Sequence, residues 1–273
     1  MPIITLTTDF GIRNPDLGYL KGLILQALPQ SQLIDISHNA LPFDTDEAVY
    51  IIKNALSEFP NGTIHFIGLD SESYPGQKPV LISNGKHFFL GNDNGIIPAA
   101  LQGQNFQVYQ IPFEKPQEFM QAHIQVAKQL SKGIMPQDFL SLFKDYKEIK
   151  LSKPMLRYDD KSSQVKLISP KVIYVDNYGN AVFNLTRTAF DKWRNKRKFV
   201  IKTGHNEIDK IVDFYNDVDD NQIVTAAGKM FARFNHYGYF EIFIYKSNHI
   251  TGGADTLLGL RKNQLINIVF ETS

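Results

Sequence analysis

Between Pro2 and about Lys150, short apolar runs alternate with longer segments in which apolar residues recur every three or four positions. Residues 3–7, 32–36, 63–69, 79–81 and 87–90 read as strands, because each is a short β-branched or aromatic run bounded by turn residues. Within residues 18–28, Leu20, Leu23, Ile24 and Ala27 have the spacing of a helix with one buried face, and Pro29 ends it. Asp44-Thr45-Asp46-Glu47 supplies a cap and an acidic first turn for a helix running through Leu56 and stopping near Phe59-Pro60. Further helices are expected over 119–130, after a proline-bearing stretch at 112–116, and over 136–143. Strands alternating with helices predict an α/β unit with a largely parallel central sheet flanked by helices.

After Ile149 the pattern changes. Lys150-Leu151-Ser152-Lys153-Pro154 and Tyr158-Asp159-Asp160-Lys161-Ser162-Ser163 are polar, rich in turn residues and lack helical periodicity. Beyond them, residues 166–168, 171–175, 181–185, 199–201, 223–226, 233–234, 239–245 and 265–270 read as short strands separated by Gly, Asn and Asp. One helix, 187–194, interrupts them behind the capping residue Thr186. The expected organisation is an α/β domain over 1–155 and a smaller all-β domain, a barrel or sandwich, over 164–273.

Composition narrows the function classes. A chain of 273 residues with 43% hydrophobic and 21% charged positions is that of an ordinary globular protein with room for two cores. Its 29 basic and 28 acidic residues nearly cancel, and Arg194-Asn195-Lys196-Arg197-Lys198 is the longest basic block. No field suited to nucleic acid or an anionic membrane arises from that balance. The absence of cysteine removes disulfides and thiolate chemistry and fits a reducing compartment. With no leader-like opening and no apolar run near the roughly 20 residues of a membrane span, a cytoplasmic location is expected.

Three segments carry candidate chemistry. Ile3-Ile4-Thr5-Leu6-Thr7-Thr8-Asp9-Phe10-Gly11 runs an apolar strand into a carboxylate and a glycine, where an open α/β sheet places ligand groups. Gly91-Asn92-Asp93-Asn94-Gly95 and Tyr174-Val175-Asp176-Asn177-Tyr178-Gly179-Asn180 likewise put carboxamides and carboxylates just after apolar runs. Taken singly, each is also ordinary turn chemistry, and Asp9 reads as well as a cap for its own loop. An ionised Asp9 can accept two hydrogen bonds from a sugar diol, and Gly11 permits a positive φ without crowding a ligand. No His/Asp/Glu cluster has metal-ligand spacing, so no metal is expected.

In their order and contexts these segments resemble the S-adenosylmethionine hydrolase and fluorinase family, whose members displace methionine from the 5′ carbon with hydroxide or halide. The resemblance spans nearly the whole chain and implies a nucleoside ligand, no separate cofactor, and a homotrimer with sites at subunit interfaces. It assigns Asp9 to the ribose, beside Phe10 and Gly11, and Asp70 to a water-activating Asp-Arg-His set. Where the family has Arg this sequence has Gln77. The family His falls near Glu118 or His123, either of which could be the base, while His123 could equally be packing. By the same resemblance Asn94 can reach the site, Asp176 pairs with the methionine ammonium, Tyr178 forms an apolar wall and Asn180 meets an adenine edge. Asn235 and His236, in Phe234-Asn235-His236-Tyr237-Gly238-Tyr239-Phe240-Glu241-Ile242, fall at the methionine end, with His where serine is more usual. Backbone near Ala254 would contact the adenine. Hydrolysis to adenosine and methionine is the expected activity. The alternative is a catalytically weakened relative that senses or sequesters the nucleoside, and halide use is the least favoured outcome.

Overall fold

The computed structural model describes residues 1–70, 78–113, 119–160, 163–213, 227–247 and 250–271. The chain divides into two compact units, Met1–Leu151 and Ser152–Ser273. Each has its own hydrophobic core.

In the first unit β1 (Ile3–Thr8), α1 (Pro15–Ala27), β2 (Gln32–Ser37), α2 (Thr45–Ala55) and β3 (Ile64–Gly68) follow one another as expected. Then come β4 (Pro79–Ser83), β5 (Phe88–Asn92), α3 (Ile96–Ala100), β6 (Gln107–Gln110), α4 (Phe119–Ser131) and β7 (Ser141–Leu142). The strands form one sheet in the order β2-β1-β3-β5-β4-β6-β7. It is mixed and largely parallel: β2, β1, β3 and β5 pair in parallel, while β4 and β7 run against their neighbours.

Strand alternation divides the sheet's side chains between two layers. Ile4, Leu6, Phe66, Leu81 and Leu90 share a core with Leu20 and Ile24 of α1 and Ile124 and Ala127 of α4. Ile67, Val80, Ile82 and Phe89 pack on the other face with Val49 and Ile52 of α2 and Ile96 and Ile97 of α3. The two crossover helices start where their caps dictate: Asn14 Oδ1 accepts from Asp16 N at 3.1 Å, and Asp44 Oδ1 from Glu47 N at 2.9 Å.

The helix expected over 136–143 does not form. Pro136–Asp138 makes a single 3-10 turn, closed by Asp138 Oδ2 accepting from Met135 N, and Ser141–Leu142 then pairs with β6. An unfilled strand edge offers that short segment inter-strand hydrogen bonds, including Phe143 N to Val108 O at 2.8 Å, and these outweigh weak helical periodicity.

The second unit begins earlier than the sequence pattern suggests. β8 (Met155–Tyr158) lies in the stretch that looked like end and linker, yet it pairs with β9 (Val165–Ser169). β10 (Val172–Val175), β11 (Ala181–Thr186), α5 (Arg187–Arg194), β12 (Phe199–Thr203) and β13 (Asn206–Ile208) follow. β14 (Met230–Phe234), β15 (Tyr239–Ile244), the one-turn α6 (Ala254–Leu257) and β16 (Asn267–Phe270) complete the described elements. The strand expected over 223–226 lies outside the described residues. Two antiparallel sheets result, β10-β11-β15-β14 and β13-β12-β16-β9-β8. Phe183, Phe240 and Ile242 of the first share one core with Ile168, Ile201 and Ile268 of the second. Thr186 caps α5 as expected, its hydroxyl accepting from Ala189 N at 3.3 Å.

Candidate functional site

Topology positions the candidates of the first unit. The chain leaves β1 for β2 on one side and returns through α2 to β3 on the other side of β1. Loops leaving β1 and β3 therefore diverge, and an open sheet has its ligand crevice at that reversal, outside the strands' carboxyl ends. The register pairs Thr8 with Gly68, which sets Asp9 level with Leu69 and one residue short of Asp70 on the adjacent strand. Asp9, Asp70, Asp44, Thr45 and Asn94 line one cavity there, with Leu41, Phe43 and Leu69 as apolar wall. Its volume is about 80 Å³, against ~300 Å³ for the smaller pockets that enclose a whole small molecule. It can hold one part of such a ligand.

Hydrogen bonds fix the geometry of this floor. Asp9 Oδ2 accepts from Asp70 N at 2.9 Å, and Asp70 has a positive φ of 47°. Asp is one of the few side chains that tolerate this region, at a cost on the order of 1 kcal/mol. Asn94 Nδ2 donates to Leu69 O at 2.9 Å while its Oδ1 accepts from Ile96 N at 3.1 Å, so one side chain ties the β3 loop to the start of α3. Asn92 Nδ2 lies 3.5 Å from Asp70 O.

The loop after β1 is held from below. Gly11, at φ 76°, donates its N–H to His38 O at 2.6 Å. The buried His38 ring meets Thr8 Oγ1 through Nδ1 at 2.8 Å, and its Nε2 stands 3.1 Å from Asp35 Oδ1. Asp35 also accepts from Lys21 Nζ at 2.6 Å. Burial pushes the Asp35 carboxyl up, but the hydrogen bonds and charges of Lys21 and His38 together hold it below its ordinary value. Phe10, half-buried, packs against the α1/α4 core.

His123 does not line the cavity. It is buried, and its Nε2 meets Gly91 O at 2.9 Å. A carbonyl can only accept, so Nε2 carries the hydrogen in that bond. Gly91 is required where it stands, since a Cβ would come within 2.8 Å of Ile67 O and 3.0 Å of Ile97 Cδ1. Gln77 and Glu118, the other two residues expected to act on water, lie outside the described residues.

The remaining candidates belong to the second unit. Asp176 closes its own loop: Oδ1 accepts from Tyr178 N at 2.8 Å and Asn180 N at 2.9 Å, and Oδ2 from Asn180 Nδ2 at 2.8 Å. Three donors leave this carboxylate little capacity for a further cation, so its first job is to shape the loop. Tyr178 is exposed at the loop's crest, whereas Asn180 is buried and its Oδ1 has no hydrogen-bond partner among the described residues. Gly179 and Gly253 touch backbone to backbone, a Cβ on Gly253 lying 2.5 Å from Gly179 Cα. This contact seats Ala254, fully buried at the start of α6, beside the Asp176 loop.

Asn235 and His236 sit in the β14–β15 turn. Asn235 Oδ1 accepts from Tyr237 N and Tyr239 N, each at 3.1 Å, and His236 is exposed. Glu241, 3% exposed, joins the two loops. It accepts from Arg233 Nε at 2.8 Å and lies 2.7 Å from Arg233 Nη2, and both Asn235 and Asp176 act on it. Burial raises the Glu241 carboxyl, Arg233 opposes the rise, and Asp176 adds to it.

Of the residues singled out in the sequence, Asp9, Asp70 and Asn94 line one cavity. Phe43 and Thr45 line it without having been singled out, and Asp44 was read only as a cap. A signal existed: a cap residue opening the helix behind a topological reversal necessarily lies near the crevice. Phe43 is 73% exposed at φ 62°, and neither fact is visible in one sequence.

Comparison with known proteins identifies the family. Residues 4–138 match the model of the SAM hydroxide adenosyltransferase N-terminal domain, and residues 170–267 that of the C-terminal domain. The chain belongs to the SAM hydroxide adenosyltransferase family. A relative in the same family, (R)-S-adenosyl-L-methionine hydrolase of Methanocaldococcus jannaschii, is 25% identical over 219 residues, 78% of each chain. A fluorinase of Nocardia brasiliensis is 35% identical over 63 residues, 23% of this chain and 21% of that one. Solved structures share the fold: an uncharacterised conserved protein of Thermotoga maritima superposes with a TM-score of 0.77 at 21% identity, covering 98% of this chain and 99% of that one. A conserved hypothetical protein of Thermus thermophilus gives 0.70 at 19% identity, over 99% and 100%. Among the described residues, no helix is long and apolar enough to cross a membrane.

Proposed function

We propose that this protein hydrolyses S-adenosylmethionine to adenosine and methionine, with water or hydroxide attacking C5′. The observation that carries the reading is the meeting of Asp9 and Asp70 in one cavity at the reversal of a sheet whose chain belongs to this family. In this reading Asp9 holds the ribose diol and Asp70 aligns the nucleophile in line with the C5′–S bond. Oxygen forms the new bond to C5′, the C5′–S electron pair leaves with methionine as a neutral thioether, and the water's proton passes to the carboxylate or to solvent. A sulfonium needs no acid to depart, so the protein's work is alignment and exclusion of bulk water, and no cofactor is required.

Asn180 Oδ1, a buried acceptor short of a donor, suits an adenine amino group, with Tyr178 and Ala254 beside it. Asn235 and His236 would serve the amino-acid end. The reading includes a homotrimer with its sites at subunit interfaces. Family membership supports that assembly, as does a cavity too small for a whole nucleoside. A monomeric mass in light scattering would count against it.

The test is incubation with S-adenosylmethionine, followed by chromatography for adenosine and methionine. Equimolar products are expected, with the rate falling about 100-fold or more in Asp70→Asn. No products, or an unchanged rate in that variant, would refute the assignment. A second reading, a nucleoside-binding relative with little turnover, is favoured by Gln77 where the family has a cation and by the engagement of His123 Nε2 with Gly91 O. Calorimetric binding of adenosine without product formation would select it.

A further inference from the structure

We infer that Asp9 is also the positioning residue for Asp70, so that one carboxylate both receives the sugar and holds the group that aligns the nucleophile. The catalytic part of this inference rests on the hydrolase reading; the structural part does not.

Sixty-one positions apart in sequence, the two residues become neighbours through the parallel register that sets Thr8 against Gly68. Asp70 adopts φ 47°, a conformation that Asp tolerates but at a cost on the order of 1 kcal/mol, which contacts with its surroundings must offset. The 2.9 Å bond from Asp70 N to Asp9 Oδ2 is the contact that does so from across the crevice. An amide donating to an ionised carboxylate makes a stronger bond than one between neutral groups. The carbonyl of that same peptide group is held by Asn94 Nδ2 on Leu69 O at 2.9 Å. The one peptide group between Leu69 and Asp70 is thereby held at both edges, its carbonyl from the α3 side and its amide from the β1 side, while Asn92 Nδ2 lies 3.5 Å from the next carbonyl, Asp70 O. Asp9 still has Oδ1 for a ligand.

A carboxylate serving only the sugar would affect binding alone when altered. A carboxylate that also positions Asp70 should affect turnover in a way that depends on whether the replacement can still accept from Asp70 N. Asp9→Asn keeps an acceptor oxygen at the same reach, while Asp9→Ala has none, and both lose the charge toward the sugar.

The experiment compares kcat and KM of these two variants for S-adenosylmethionine and determines the crystal structure of each. The expected result is a similar rise in KM in both, a kcat at least 10-fold lower in Asp9→Ala than in Asp9→Asn, and Asp70 leaving the positive-φ region only in Asp9→Ala. Equal kcat in the two variants, or an unmoved Asp70 in Asp9→Ala, overturns the inference. Should the alanine variant fail to fold, Asp9→Ser, whose hydroxyl is too short to reach Asp70 N, takes its place. If the wild-type protein shows no turnover, the hydrolase reading fails by itself, and the two crystal structures still decide whether Asp9 positions Asp70.

Discussion

His65 should make the first unit acid-labile in a calculable way. It is fully buried in β3, its Nδ1 lies 2.7 Å from Thr5 Oγ1, its ring stacks on Phe89 at 4.9 Å, and Nε2 has no hydrogen-bond partner among the described residues. Burial first, and the neighbouring His87 second, lower its pKa from 6.5 to about 3. The unfolded chain therefore takes up a proton near pH 6.5 that the folded chain refuses until about pH 3, so this group's effect on stability worsens as pH falls through that window. Linkage gives a slope of about 1.4 kcal/mol per pH unit within the window and a loss of about 3 kcal/mol between pH 7 and pH 4. With a urea dependence of about 2 kcal/mol per molar, that loss lowers the unfolding midpoint by about 1.5 M. His65→Asn keeps a polar atom near Thr5 Oγ1 but does not titrate. The assay is urea unfolding of both proteins, followed by circular dichroism at several pH values. Asn will cost stability at pH 7 through lost packing, and the diagnostic quantity is the difference in pH dependence. Carboxylates contribute equally to both proteins and cancel. If the variant's midpoint fell as steeply with acid as the wild type's, the reasoning would be wrong.

Two further outcomes are expected. Gly253→Ala should destabilise the second unit by about 3 kcal/mol, the upper range for forcing atoms into a filled space, because its Cβ would lie 2.5 Å from Gly179 Cα and 2.6 Å from Tyr178 O; thermal denaturation would measure this, and an unchanged midpoint would show that the Tyr178 loop is not pinned there. Asp44→Ala should cost about 1 kcal/mol by leaving Glu47 N uncapped, whereas Asp44→Ser should restore most of it, as read by urea unfolding.

Periodicity and punctuation were enough to place most local elements. Pro29, the Asp44 cap and the Thr186 cap each marked helix boundaries that formed, because a cap or a proline acts through bonds to its own backbone neighbours. Residues whose conformation depends on a distant partner were read less well. Leu142 is strand because Tyr109 of β6 is beside it, and Met155–Tyr158 is strand because β9 is beside it; neither partner can be inferred from the segment itself.

The site divides along the same line. The sequence by itself determined that a carboxylate follows β1 and another follows β3, that Asn94 follows β5, and that Asp176 opens a short glycine-bearing turn. It also carried the family, since residue types at fixed spacing survive without coordinates. Only the tertiary structure decided that Asp9 bonds the amide of Asp70, that His123 turns its Nε2 to the Gly91 carbonyl, and that three donors of its own loop occupy the Asp176 carboxylate. Those facts depend on strand register and on which lone pairs the fold has already used. Both are set by contacts between segments far apart in the chain, where local pattern carries no information.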